Sequence, residues 1–188
     1  LDGVAFDFQG AGEYTLVTGD GFEIQARFEP LGEPAGLPVC GRVTWTTAVA
    51  VRGLGPRLTV AIEEGAPVLR VDGDVVEPAA DPGLGGEVRF ERTADRIAIR
   101  WPDGERPGIS PHDHHPDPSV TPPADRAAPL AGLLGDFDGS GGDDFSTRDG
   151  RALERPLGFR TRYRVWGESW RVDPADSAFD DPPGQGPG

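Results

Sequence analysis

The stretch VCGRVTWTTAVAVR, Val39 to Arg52, decides how the chain folds. Val39, Val43, Trp45, Val49 and Val51 share one parity, and Arg42, Thr44, Thr46 and Arg52 the other. That is the period of two that a half-buried strand requires, not the 3.6 of a helix. The same alternation recurs in Phe22, Ile24, Ala26 and Phe28, in Leu58, Val60 and Ile62, and in Ile97, Ile99 and Trp101. Between these runs sit TGDGF, RGLGP, VDGD and PDGE, turn signals spaced as an antiparallel meander spaces its hairpins. Only PADRAAPLAGLL invites a helical reading, and Pro129 cuts it to little more than a turn. The aromatic-rich YRVWGESWRV reads as a late strand, with Trp166 and Trp170 as core residues. The expected class is all-β, two packed antiparallel sheets in a sandwich-like arrangement with minimal helix.

With 188 residues the chain can form one substantial core, a domain of this size burying roughly 70% of its unfolded surface. The stretch from Asp173 to Gly188 is rich in Pro, Gly and Asp and reads as a linker or tail, which leaves residues 1–172 as the domain. The opening at Leu1, without methionine or leader, suggests a piece excised from a longer polypeptide, and no run is long enough for membrane insertion. Formal charge is −14 and every one of the 18 basic residues is arginine, so no basic stripe offers itself to nucleic acid. A single cysteine, Cys40, excludes an internal disulfide framework.

Chemistry concentrates in GLLGDFDGSGGDDFSTRDG, Gly132 to Gly150, where Asp136, Asp138, Asp143, Asp144 and Asp149 fall within fourteen residues. Counted from Asp136 as position one, Asp138 is at three, Ser140 at five, Gly141 at six, the Gly142 carbonyl at seven and Asp144 at nine. This is the oxygen spacing of an EF-hand calcium loop. Position twelve is Thr147 rather than Glu, and RDGRALERP is a poor exiting helix, which argues against a true EF-hand. Another segment would have to supply the missing carboxylate. The alternative is a solvated Asp/Gly turn. Against it, four acids converging without a cation raise one another's pKa. An oxygen-only donor set disfavours zinc and copper, and a cage made wholly of protein favours calcium over magnesium.

Other groups weigh less. His112, His114 and His115, with Asp113 and Asp117, lie in the stretch from Pro102 to Pro123, whose seven prolines read as a long surface excursion or a sheet edge, and match no closed zinc spacing. Asp149 or Glu168 in a cleft would suit a hydrolase acting on an extracellular polysaccharide, and two exposed tryptophan faces would suit a carbohydrate-binding module. No Gly-x-Ser-x-Gly elbow or Cys/His pairing supports catalysis.

LDGVAFDFQGAGEYTLV, GFEIQARFEP, TTAVAVR, GLLGDFDGSGGDDF and GESWRV occur in an order that resembles a von Willebrand factor type D domain, from Leu1 to about Val172. The resemblance implies a non-catalytic, β-rich extracellular module, secreted or on a cell surface, with a structural Ca2+. It also implies that the ion is held by Asp136, Asp138, Asp143 and Asp144, main-chain oxygen near Ser140, and Asp2 from the opening LDG. Adhesion, assembly or spacing would be its work, with other domains of the same polypeptide and extracellular protein or glycan ligands as partners. AGLLG stands where animal members carry Cys-Gly-Leu-Cys, which removes disulfide-linked oligomerisation through that motif, and the Gly-Asp-Pro-His autoproteolytic motif is absent. The cysteine-poor, arginine-only composition is similar to bacterial members of the family.

Overall fold

A computed structural model describes residues 5–19, 21–30, 43–53, 55–63, 66–76, 89–92, 97–100, 106–111, 115–121 and 129–180. Six strands follow one another in a single antiparallel sheet: β1 (Gly12–Gly19), β2 (Phe22–Pro30), β3 (Thr44–Gly53), β4 (Gly55–Glu63), β5 (Ala66–Val71) and β6 (Asp74–Val76). A second antiparallel sheet carries β7 (Arg89–Arg92), β8 (Ile97–Arg100), β9 (Arg106–Pro111) and β10 (Pro116–Thr121). The expected all-β class holds. The β1–β2, β3–β4 and β5–β6 hairpins fall at the expected signals TGDGF, RGLGP and VDGD. VDGD closes β5 on β6 with Asp72 at φ 50° and Gly73 at φ 94°, the two positive values that a tight turn matched to the strand twist demands.

Register explains the core. Tyr14, Ala26, Val49, Val60, Leu69 and Val76 are successive cross-strand partners, and so are Val17, Ile24, Val51, Leu58 and Val71. Both rows lie in one apolar cluster, which Ile109 of β9 and Val120 of β10 join from the second sheet. Alternation therefore becomes burial, the dominant favourable term in folding.

Three expectations need correction. The strict alternation from Val43 to Val51 is interrupted. Ala48 opposes Arg27 and Thr46 opposes Phe28, so Thr47 is an extra residue that shifts the parity of everything before it. Val43, expected in the core, is exposed. The expected late strand YRVWGESWRV is helical as far as Trp170, in a segment made of α1 (Phe159–Thr161), a π-helical stretch (Arg162–Gly167) and α2 (Glu168–Trp170), and only Arg171 turns extended to bridge Tyr14. Its buried residues Trp166, Gly167 and Trp170, with half-buried Tyr163, recur at three and four, which is helical spacing.

The third correction concerns the tail. Residues 173–180 pack on the opposite face of the first sheet, where Ala178 and Phe179 cluster with Ala48 and Ala50. Buried Gln25 donates to the Asp176 carbonyl at 3.0 Å and accepts the Ala178 N–H at 2.7 Å. Arg57 pairs with Asp180, and the Arg27 guanidinium sits 4.4 Å from the centre of the Phe179 ring. The packed structure thus continues through Asp180, past the boundary expected at residue 173. Residues 181–188 lie outside the described part.

Candidate metal centre

The segment entering the acidic turn runs along β1. Thr18 and Ala131 exchange backbone hydrogen bonds at 2.7 and 3.0 Å, and Leu133 and Leu134 donate to the carbonyls of Thr15 and Leu16. A Cβ on Gly132 would run into the Leu16 carbonyl, so only glycine permits this close approach. The turn then stands on an aromatic base. Phe145, directly after Asp144, packs edge-on against Phe6 at 5.9 Å and against Trp166 at 5.0 Å. Phe8 lies among Tyr14, Phe28, Tyr163 and Trp166, and the Trp170 indole N–H donates to the Ser146 carbonyl at 2.9 Å. The opening residues 5–8 therefore meet the root of the turn.

Above this base, Asp136, Asp138 and Asp143 each bring one carboxylate oxygen to within 4.8 Å of the others. Phe137, between the first two, has φ 60° and packs its ring on the main core, an apolar anchor among charges. Gly139 takes φ 90°, a conformation that side chains resist. The Asp138 N–H donates to Asp136 Oδ1 at 3.4 Å and the Ser140 N–H to Asp138 Oδ1 at 2.7 Å, folding the backbone around the carboxylates. Burial raises the Asp136 pKa above the ordinary aspartate value; the Asp138 N–H opposes that rise, and the charges of Asp138, Asp143 and Asp144 add to it. The repulsion expected from the sequence thus acts on Asp136, second to burial.

Of the sequence-derived ligand set, then, three residues form the cluster. Asp144 is buried, close enough to act on Asp136 electrostatically, and stands outside the group of three. Ser140 is exposed within the turn. Asp2 lies outside the described residues. Position twelve, Thr147, is committed elsewhere: its hydroxyl donates to Asp149, and the chain returns through a Ser146–Ala152 bridge rather than an EF-hand helix. Oxygen donors alone, with two of the three acids exposed, fit a hard divalent cation and not a soft one.

Sequence reasoning missed two supports of the turn. Arg155 donates to the Gly141 carbonyl at 2.7 Å and lies 5.4 Å from the Phe145 ring centre. Arg148 bonds the Thr15 hydroxyl and stacks 5.3 Å from the Trp170 ring. Neither contact has a local spacing signal.

The other candidates are less assembled. Glu168 is tied to Arg171 at 2.8 Å, and the hydrogen bond from Arg171 holds its pKa below the usual carboxylate range. Asp149 accepts the Thr147 hydroxyl, which lowers its pKa. Trp166 and Trp170 are buried, Trp45 is half-buried beside His115, and Trp101 lies outside the described residues. So do His112, His114, Asp113 and Cys40; His115 Nε2 is 3.5 Å from Asp117. No helix among the described residues is long and apolar enough to cross a membrane. No protein-family model matches the chain, and no curated protein matches it.

Proposed function

We propose that this chain is a non-catalytic, calcium-binding module of a larger secreted or surface protein, serving adhesion, assembly or spacing, with the character of a von Willebrand factor type D domain. The observation that carries the reading is the convergence of Asp136, Asp138 and Asp143. Neighbouring negative charge, with burial, raises the Asp136 pKa, and a divalent cation would turn that repulsion into attraction. Residues 5–8 stand beside the same turn through Phe6, which supports a contribution from the opening LDG. The hydrolase and carbohydrate-binding readings have less behind them, since Glu168 is engaged by Arg171 and two tryptophans are buried.

The ion's work in this reading is thermodynamic. A cation that binds only the folded chain adds RT ln(1 + [L]/Kd), about 2.7 kcal/mol when free ion exceeds Kd a hundredfold. Millimolar calcium reaches that ratio at a site of roughly ten-micromolar affinity, within the range of oxygen cages. Thermal unfolding in chelator, in millimolar calcium and in millimolar magnesium tests the proposal. The expected result is a rise of several degrees with calcium alone. An unchanged midpoint in protein shown by metal analysis to be ion-free would reject it.

A further inference from the structure

Directly after the acidic turn the charge reverses. Residues 133–144 hold four acids and no arginine, whereas residues 145–171 hold seven arginines against three acids in a chain of net charge −14. Three of those arginines, Arg148, Arg151 and Arg164, line one open cavity of about 480 Å³ between the 147–151 turn and the helical segment, with Thr147, Asp149, Val165 and Ser169.

Only Arg148 is fixed in place by hydrogen bonding and ring contact. Arg148 is positioned from two sides, by its bond to the Thr15 hydroxyl and by stacking on Trp170, and its Nη2 stands 4.0 Å from Glu23. The guanidiniums of Arg151 and Arg164 are exposed and make no hydrogen bond or ion pair among the described residues. Three like charges on one cavity wall repel one another, and what offsets this for the last two is the charge of a neighbouring acid, Asp149 beside Arg151 and Glu168 beside Arg164. The hydroxyls on the wall are already spent: Thr147 donates to Asp149, and Ser169 donates to the Trp166 carbonyl. Free donors here are therefore arginine forks, whose planar N–H pairs match the paired oxygens of an oxyanion. Asp149, the one acid on the lining, is held by Thr147 and by the nearby charge of Arg151. Because the molecule as a whole repels anions, a local cluster of this kind is what an anion would need in order to settle.

We propose that the cavity bounded by Arg148, Arg151 and Arg164 binds a tetrahedral oxyanion, a sulfate or phosphate group, either free or as an ester on a polymer. It uses none of the residues of the cation site, and so it stands or falls separately from the calcium reading. The test is calorimetric titration of the whole chain with sodium sulfate, sodium phosphate and sulfated dextran, against sodium chloride and unsulfated dextran at equal ionic strength. The comparison variant is R151A/R164A, in which Arg148 and its packing are left intact. Saturable binding of sulfated dextran and sulfate, weakened tenfold or more in the double variant at an unchanged unfolding midpoint, would establish the site with a polymer ester as its source. Binding of the inorganic ions alone, with the same loss, would establish it for a free anion. A response to sulfate no greater than to chloride, or equal binding by both proteins, overturns it.

Discussion

The two faces of the six-stranded sheet are held by different physics. On one, Tyr14, Ala26, Val49, Val60 and Leu69 form a row of bulk that meets Phe145, Trp166 and Trp170. On the other, the neighbouring row is Thr15, Gln25, Ala50, Thr59 and Arg70, covered by the strip that ends in Ala178 and Phe179. The first face gains from apolar area, which is non-directional and large. The second relies on placed hydrogen bonds and ion pairs, each contributing about 1 kcal/mol net but costly if left half-made. The acidic turn is built on the first face. A site of repelling carboxylates needs a support that does not yield, and aromatic packing supplies it.

The contrast can be broken by substitution, most severely at Trp166. Trp166→Ala should cost about 3–5 kcal/mol, roughly 10 °C in unfolding midpoint, with calcium or without. A loss much smaller in chelator would mean that the aromatic base owes its order to the ion. Asp138→Ala should cost about 2–3 kcal/mol in calcium and almost nothing in chelator. Equal losses in the two conditions would remove the metal role from that residue. Phe179→Ala, on the other face, should cost about 2 kcal/mol in both conditions, because it deletes apolar contact at the border of the sheet rather than at its centre. If it cost as much as Trp166→Ala, the two faces would be equals.

The smallest effect is in pH. Burial and neighbouring charge raise the Asp136 pKa, so the folded ion-free chain holds a proton that the unfolded chain releases at lower pH. Its stability should therefore decline as pH rises through the window just above the ordinary aspartate range. Calcium displaces that proton, so the gap between the calcium and chelator midpoints should widen over the same window. A gap that stays constant there would separate Asp136 from ion binding.

Much of the first face was legible. Alternation in β2, β3 and β4 named Ile24, Ala26, Val49, Val51, Leu58 and Val60, because a strand writes its buried side at every second residue. The acidic spacing named Asp136 and Asp138, since residues close in sequence needed only glycine turns to bring them together, but it pointed to Asp144 at position nine, and Asp143 came from the family resemblance instead. What escaped depended on distance or on a single residue. Nothing in β3 alone marks Thr47 as the extra residue, because the bulge exists only relative to β2. The helical segment was obscured because closely spaced Val and aromatic residues satisfy a strand propensity as well as a helical stripe. The strip from Asp173 to Asp180 looks like a linker by composition, and its partners, Gln25 among them, stand far away in sequence.

β1 is the outer strand of its sheet, yet its open margin is occupied from within. Residues 131–134 take the hydrogen bonds near Thr15 and Thr18, and Val172 donates to the Glu13 carbonyl at 2.9 Å. An outer strand left bare is a template on which another chain can add itself and start aggregation. Here the segments that flank the acidic turn and the helix double as a selvedge, and whatever holds that turn in place also keeps the molecule from growing its sheet into a neighbour's.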